Sequence, residues 1–187
     1  MMPKVVIVTG SPNAGSRLNG ISGYVEKSLQ SRGWHVDVLP VVSLPAEDLI
    51  LTRWDSPAIT KANLLVEEAD AVIIASPVYK ASYSGVLKTY LDLLPQKGLE
   101  GKIVLPLFIG GTISHLLAID YALKPVLSAL YARHISQGVY AVDSQVQRTE
   151  QSQFVLDEDL TKRLDAAIGQ FAEATLLFTG QAEPLLS

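Results

Sequence analysis

The run Thr9-Gly10-Ser11-Pro12-Asn13-Ala14-Gly15-Ser16-Arg17-Leu18 joins an apolar segment to an amphipathic one, and its side chains are small, hydroxylated or cationic. A loop of this kind at a helix start can wrap a phosphate monoester, because backbone N–H groups point outward there and the helix dipole favours negative charge. Ser11 and Ser16 add hydroxyl donors, and Arg17 adds a charged fork. Taken alone, the loop also reads as a Gly/Ser-rich turn that caps a helix.

The loop's omissions narrow the choice of phosphate. A Gly-x-x-x-x-Gly spacing runs from Gly10 to Gly15, but Ser16-Arg17 stands where a triphosphate loop needs Lys followed by Ser or Thr. The dinucleotide pattern Gly-x-Gly-x-x-Gly is also missing after this segment. A mononucleotide remains.

Elements able to position such a loop follow from periodicity. Val5 to Val8 is a continuous apolar run, as in a strand buried on both faces. Ile21, Tyr24, Val25, Ser28 and Leu29 then keep helical spacing, and Gly33 closes it. Residues 35–39 read as a second strand, and Ser56-Pro57 as the capped start of a helix to about Glu68. Ala71 to Ala75 is a third strand, followed by the loop Ser76 to Lys80. A helix over 84–94 stops at Pro95, and a fourth strand, 102–108, leads to Gly110-Gly111-Thr112. A long helix over 114–130 carries Pro125, where a kink is expected, and 135–141 forms a fifth strand. A polar connection, 143–153, precedes a closing helix over 156–177.

Strands alternating with helices imply one parallel sheet covered on both faces, and ligands in such sheets sit beyond the carboxyl ends of the strands. That places the loop 10–18, the segment 77–84 and Gly110 to Thr112 around one crevice. A flavin mononucleotide needs a phosphate cup, a flat slot and backbone donors near its pyrimidine edge. Gly110 and Gly111 allow close approach of the main chain to a ring, and an N–H there can stabilise developing negative charge. Pro77, Val78 and Tyr79 supply a wall.

Composition agrees with a single domain over residues 1–178 and a frayed tail over 179–187. The chain has 187 residues and no cysteine, which removes disulfides, iron–sulfur clusters and a thiol nucleophile. Its start enters a strand without a signal-like segment, and no apolar run is long enough to span a bilayer, so a cytoplasmic location and no membrane partner are expected. A net charge of −4 disfavours nucleic acid. A mean hydropathy of +0.26 favours burial of some surface against another copy. His35, His115 and His134 form no metal-ligand spacing, so no metal is expected, and no nucleophile–base pair stands out.

Four runs carry a more specific resemblance: Gly10-Ser11-Pro12 with Ser16-Arg17; Ser76 to Lys88; Leu105-Pro106 to Gly110-Gly111-Thr112 and His115 to Ala118; and Asp120 to Leu127. Together they resemble the NADPH-dependent FMN reductases, and in particular the reductase component of two-component alkanesulfonate monooxygenase systems. The resemblance implies a flavodoxin-like, doubly wound five-stranded parallel sheet in the order 2-1-3-4-5, with FMN as substrate or loosely bound cofactor and NADPH or NADH as reductant. It implies delivery of reduced FMN to an alkanesulfonate monooxygenase for sulfur acquisition, by a homodimer or homotetramer. An FMN-bound quinone or azo reductase and a flavodoxin-type carrier are the alternatives, the carrier being disfavoured by the mild charge. By matching motif, Ser11, Ser16, Arg17 and Leu18 would hold the phosphate and ribityl end. Pro77, Val78, Tyr79 and Lys80 would border the ring, and Gly110, Gly111 and Thr112 its pyrimidine side. Asn13 stands where the resemblance predicts an arginine. Tyr121 falls where this group is similar in carrying an inserted aromatic residue in a π-bulge, which would place it at an oligomer interface and tie it to flavin release.

Overall fold

The computed structural model describes residues 2–151 and 153–180. Five parallel positions form its central sheet: β2 (His35–Pro40), β1 (Lys4–Thr9), β3 (Ala71–Tyr79), β5 (Ile103–Gly110) and a broken edge made of β6 (His134–Ile135) and β7 (Val139–Val142). Counted by position, this is the expected order, with the fifth strand split. Ser136 to Gly138 interrupts that edge, and Ser136 N–H still donates to Val104 O at 2.8 Å.

Successive residues of the inner strands feed opposite faces, as a pleated strand requires. Val5, Ile7, Ile73, Leu105 and Leu107 face α1 (Leu18–Ser31) and α6 (Glu158–Phe178), meeting Leu18, Val25, Leu164 and Phe171. Val6, Val8, Val72, Ile74 and Phe108 face α3 (Pro57–Glu68), α4 (Gly85–Leu91) and α5 (Lys124–Ala129). Both layers are buried, and the carboxyl ends of β1, β3 and β5 emerge side by side, with Thr9 opposite Ala75 and Pro77 opposite Ile109.

Several expectations need correction. The third strand does not end at Ala75 but continues to Tyr79, where a two-residue turn reverses it into β4 (Ser82–Tyr83). Lys80 and Ala81 both have positive φ, 50° and 61°, as a tight hairpin turn demands of its central pair. Ser56 stands at the N-cap of α3 with Pro57 in the first turn, as expected, but its hydroxyl makes no capping bond and donates instead to Asp48, in the short helix α2 (Ala46–Ile50).

The long helix expected over 114–130 is divided. A 3-10 turn at Ile113–His115 precedes a π-helix, Ile119–Leu123, and α5 follows with Pro125 in its first turn. Lys124 N–H donates five residues back, to Ile119 O. Pro125 has no N–H to offer the carbonyl four residues earlier, so the wide turn falls where a regular ladder would already be broken. The break is thus a π-turn rather than a kink in a continuous helix.

The connection 143–153 holds a 3-10 turn at Asp143–Gln145 and β8 (Val146–Arg148), which pairs antiparallel with β9 (Phe154–Leu156) just beyond it, so the closing helix starts at Glu158 rather than at 156. In the closing helix, Asp157 accepts a hydrogen bond from Leu160 N–H at 2.7 Å, capping α6. Of the tail expected to fray, residues 181–187 lie outside the described residues.

Candidate functional site

The loop after β1 is anchored before it is functional. Gly10 N–H donates to Ala75 O at 2.8 Å, which continues the sheet one residue past β1. A Cβ on Gly10 would lie 2.4 Å from Leu87 Cβ, so glycine is required there by the packing of α4. The buried Ser84 hydroxyl donates to Gly10 O and accepts from Leu87 N–H at 3.0 Å, while Ser84 N–H donates to the Ser76 hydroxyl at 2.9 Å. Two buried hydroxyls therefore lock the β3–β4 hairpin, the start of α4 and the first loop together.

Further along, the loop satisfies its own donors. Asn13 Oδ1 accepts from Gly15 N–H at 2.8 Å, and Ser16 Oγ accepts from Leu18 N–H at 3.2 Å. Ser11 Oγ donates to Asn13 O at 3.1 Å and accepts from Asn13 N–H. These are local side-chain closures of a kind that Asn and Ser favour. An arriving phosphate must displace the first two to reach those N–H groups.

A cavity of about 330 Å³ opens between this loop and the ends of β3 and β5. Of the residues chosen from sequence, it brings together Ser16, Arg17, Pro77, Val78, Tyr79, Gly110 and Gly111. Five others fall outside its lining, among them Tyr121, which lies on the π-helix Ile119–Leu123. Leu18 is fully buried in the core, and Ser11 is buried behind the loop against a second groove, beside α1 and β2. Lys80 occupies the exposed hairpin turn, and Thr112 accepts from Ser114 N–H with its hydroxyl while its carbonyl takes the Tyr140 hydroxyl at 2.8 Å.

Gly110 has a different reason for being glycine than ring approach. A Cβ there would stand 2.3 Å from Tyr140 Oη and 3.3 Å from Val78 Cβ. The phenol crosses over Gly110 to reach Thr112 and so fixes the turn after β5. Burial, with a smaller contribution from Asp143, raises the Tyr140 hydroxyl above the ordinary tyrosine range, so it stays a donor. Gly111 has open space apart from Asp143 Oδ2, 3.9 Å from the position of a Cβ.

Residues missed from sequence complete the cavity: Asn13 and Gly15 in the loop, Ile109 at the end of β5, and Asp143 and Arg148 from the segment after β7. That segment is held by Arg163, whose guanidinium donates to Tyr140 O at 2.7 Å and to Gln145 Oε1 at 3.0 Å. Alternation of Val146, Gln147 and Arg148 was the available strand signal, but three residues are too few to establish a period.

The donor set fits a phosphorylated flat ring. Arg17, Ser16 and the loop amides gather on one side, and Pro77, Val78 and Ile109 present an apolar surface on the other. Among the described residues there is no cluster of His, Asp or Glu able to hold a metal ion, and no helix long and apolar enough to cross a membrane.

The chain is 45% identical over 185 residues to an Escherichia coli (strain K12) protein named FMN reductase (NADPH), covering 98% of this chain and 96% of that one. A Pseudomonas putida protein of the same name is 51% identical over 146 residues, covering 78% and 74% of the two chains. A solved apo structure of an NADH:FMN oxidoreductase superposes with a TM-score of 0.82 at 34% identity, covering 92% of this chain and 90% of the other. The family model described as NADPH-dependent FMN reductase matches residues 3–147, and the chain belongs to that family.

Proposed function

We propose that the protein uses NADPH to reduce FMN as a diffusible substrate and releases the product to an alkanesulfonate monooxygenase. The observation that carries the release step is the self-satisfied cup. Binding must exchange the Asn13–Gly15 and Ser16–Leu18 bonds for bonds to phosphate, so the net gain at each amide is small. FMN supplies the hydride-accepting ring. The chain's own part is to hold it: Arg17 and Ser16 at the phosphate, Pro77, Val78 and Tyr79 along the ring, and the turn at Gly110 and Gly111, set by Tyr140, at the pyrimidine side. No acid–base residue is needed for hydride transfer, because the reacting partners carry the chemistry and the protein supplies orientation.

The oligomer belongs to the same reading. Ile113, Leu117 and Tyr121 are exposed by 59%, 56% and 79%, and the π-helix that carries Tyr121 packs against β4 in the hairpin bordering the cavity. Such a patch, beside the site, suits burial against a second copy. In this arrangement the π-turn holds Tyr121 outward across the interface and tunes how readily flavin leaves.

A coupled assay tests the proposal. NADPH, catalytic amounts of the protein, FMN, dioxygen and an alkanesulfonate monooxygenase should release sulfite from an alkanesulfonate, and omitting the protein should abolish this. NADPH oxidation that proceeds while no sulfite forms would confine the function to flavin reduction. Sedimentation should give a dimer or tetramer; an active 20.2 kDa monomer would remove the interface role of Tyr121.

A further inference from the structure

The hairpin β8–β9 is built against the phosphate loop. Gly20, in the first turn of α1, has no room for a side chain: a Cβ would stand 2.6 Å from Phe154 Cβ and 3.0 Å from Val146 Cγ1. Arg17 Nε donates to Val146 O at 3.0 Å, joining the last residue of the loop to the first of β8. Arg148 pairs with Phe154 across the hairpin, and Thr149 N–H donates to Gln153 O at 2.8 Å just beyond. Two residues on from the buried Val146, Arg148 points to the same face of its strand.

That direction brings Arg148 to the loop. Its Nη1 lies 3.2 Å, and its Cζ 3.9 Å, from the place a Cβ on Gly15 would take. The guanidinium thus lies directly over Gly15, in the middle of the loop. Arg148 and Arg17 line the cavity together, beside Ser16 and Asp143. A phosphate monoester carries close to two negative charges at neutral pH and accepts planar forked donors from arginine.

We propose that Arg148 is the second cation of the phosphate cup, a binding residue that selects FMN over unphosphorylated flavin. The proposal rests on the reading of the cavity as the FMN site. Arg17 places the hairpin and grips from the helix start; Arg148 grips from the opposite wall.

The test is a flavin fluorescence titration with FMN and, separately, riboflavin, on the wild type, Arg148→Ala and Arg148→Lys, with a thermal melt of each variant. Arg148 is exposed, and both variants should melt near the wild type. Arg148→Ala should raise the FMN dissociation constant roughly tenfold or more, the loss expected for a hydrogen bond to a charged group, and leave riboflavin within about twofold. Arg148→Lys, which keeps the charge without the fork, should fall between. FMN affinity unchanged in Arg148→Ala, or equal losses for both flavins, would overturn the proposal. A wild type that binds riboflavin as tightly as FMN would instead overturn the assignment of the cavity's phosphate end, and this proposal with it.

Discussion

The two sides of the cavity are built on opposite plans. The ring side is continuous with the sheet: β3 runs unbroken to Tyr79, β4 turns back on it, and the buried Ser76 and Ser84 hydroxyls fasten the hairpin to Gly10. The phosphate side is a loop whose own Asn13 and Ser16 side chains occupy donors that a ligand would use. A surface already formed loses little entropy when a flat ring lies on it, whereas a loop that must exchange internal bonds gains little from each contact. Under the proposed function, this difference is what would let one site orient FMN for reduction and still release it.

Removing the strongest donor breaks the comparison most severely. Arg17→Ala takes away a guanidinium at the cup and frees the strand that carries Arg148, so FMN binding should weaken by about 1.5–3 kcal/mol. Riboflavin should scarcely notice. Titration of both flavins checks this, and equal losses would show that Arg17 shapes the ring side as well.

Gly110→Ala attacks the other side. The methyl group would push the Tyr140 phenol off Thr112, at an overpacking cost of about 1–3 kcal/mol in stability, and riboflavin and FMN should lose affinity together. Thermal melts and parallel titrations read both effects. A melt unchanged from wild type would mean that Tyr140 moves freely and does not fix the turn.

Deleting Tyr121 should allow an ordinary helix across residues 119–123. FMN binding should then tighten by about 1 kcal/mol, the net worth of one hydrogen bond, and turnover of free flavin should fall while bound flavin remains reducible. Stopped-flow reduction combined with dialysis separates these outcomes. Wild-type release from the deleted protein would make Tyr121 a packing residue. Asn13→Ala should produce the smallest change and in the favourable direction: freeing Gly15 N–H for phosphate tightens FMN by about 0.5–1.5 kcal/mol, seen in the same titration. Weaker binding would show that the Asn13 closure shapes the cup instead of competing for it.

Much of this site was legible before the fold was known, because its anchors are the ends of long apolar strands. Val5–Val8, Ala71–Ala75 and the run to Phe108 are short continuous apolar runs, as strands buried on both faces are, and a parallel sheet of such strands gathers the loops at its carboxyl edge. What escaped has short range or distant cause. Lys80 and Ala81 adopt left-handed conformations without the Gly or Asn that normally marks such a turn, so the hairpin was hidden. The demand for glycine at 110 comes from Tyr140, thirty positions away on another strand. Arg148 belonged to a polar connection whose strands are three residues each, and the packing of Phe154 on Gly20 together with the Arg17–Val146 bond turns it toward the loop.

The central claim, that FMN is turned over rather than kept, is tested most directly by counting equivalents. Under anaerobic conditions, catalytic protein is mixed with NADPH and a large molar excess of FMN, and flavin bleaching is followed to completion. The account predicts that all the FMN is reduced, one NADPH oxidised for each, at a rate proportional to protein. Reduction that halts after a single equivalent per site, with the remaining FMN still oxidised, would contradict it.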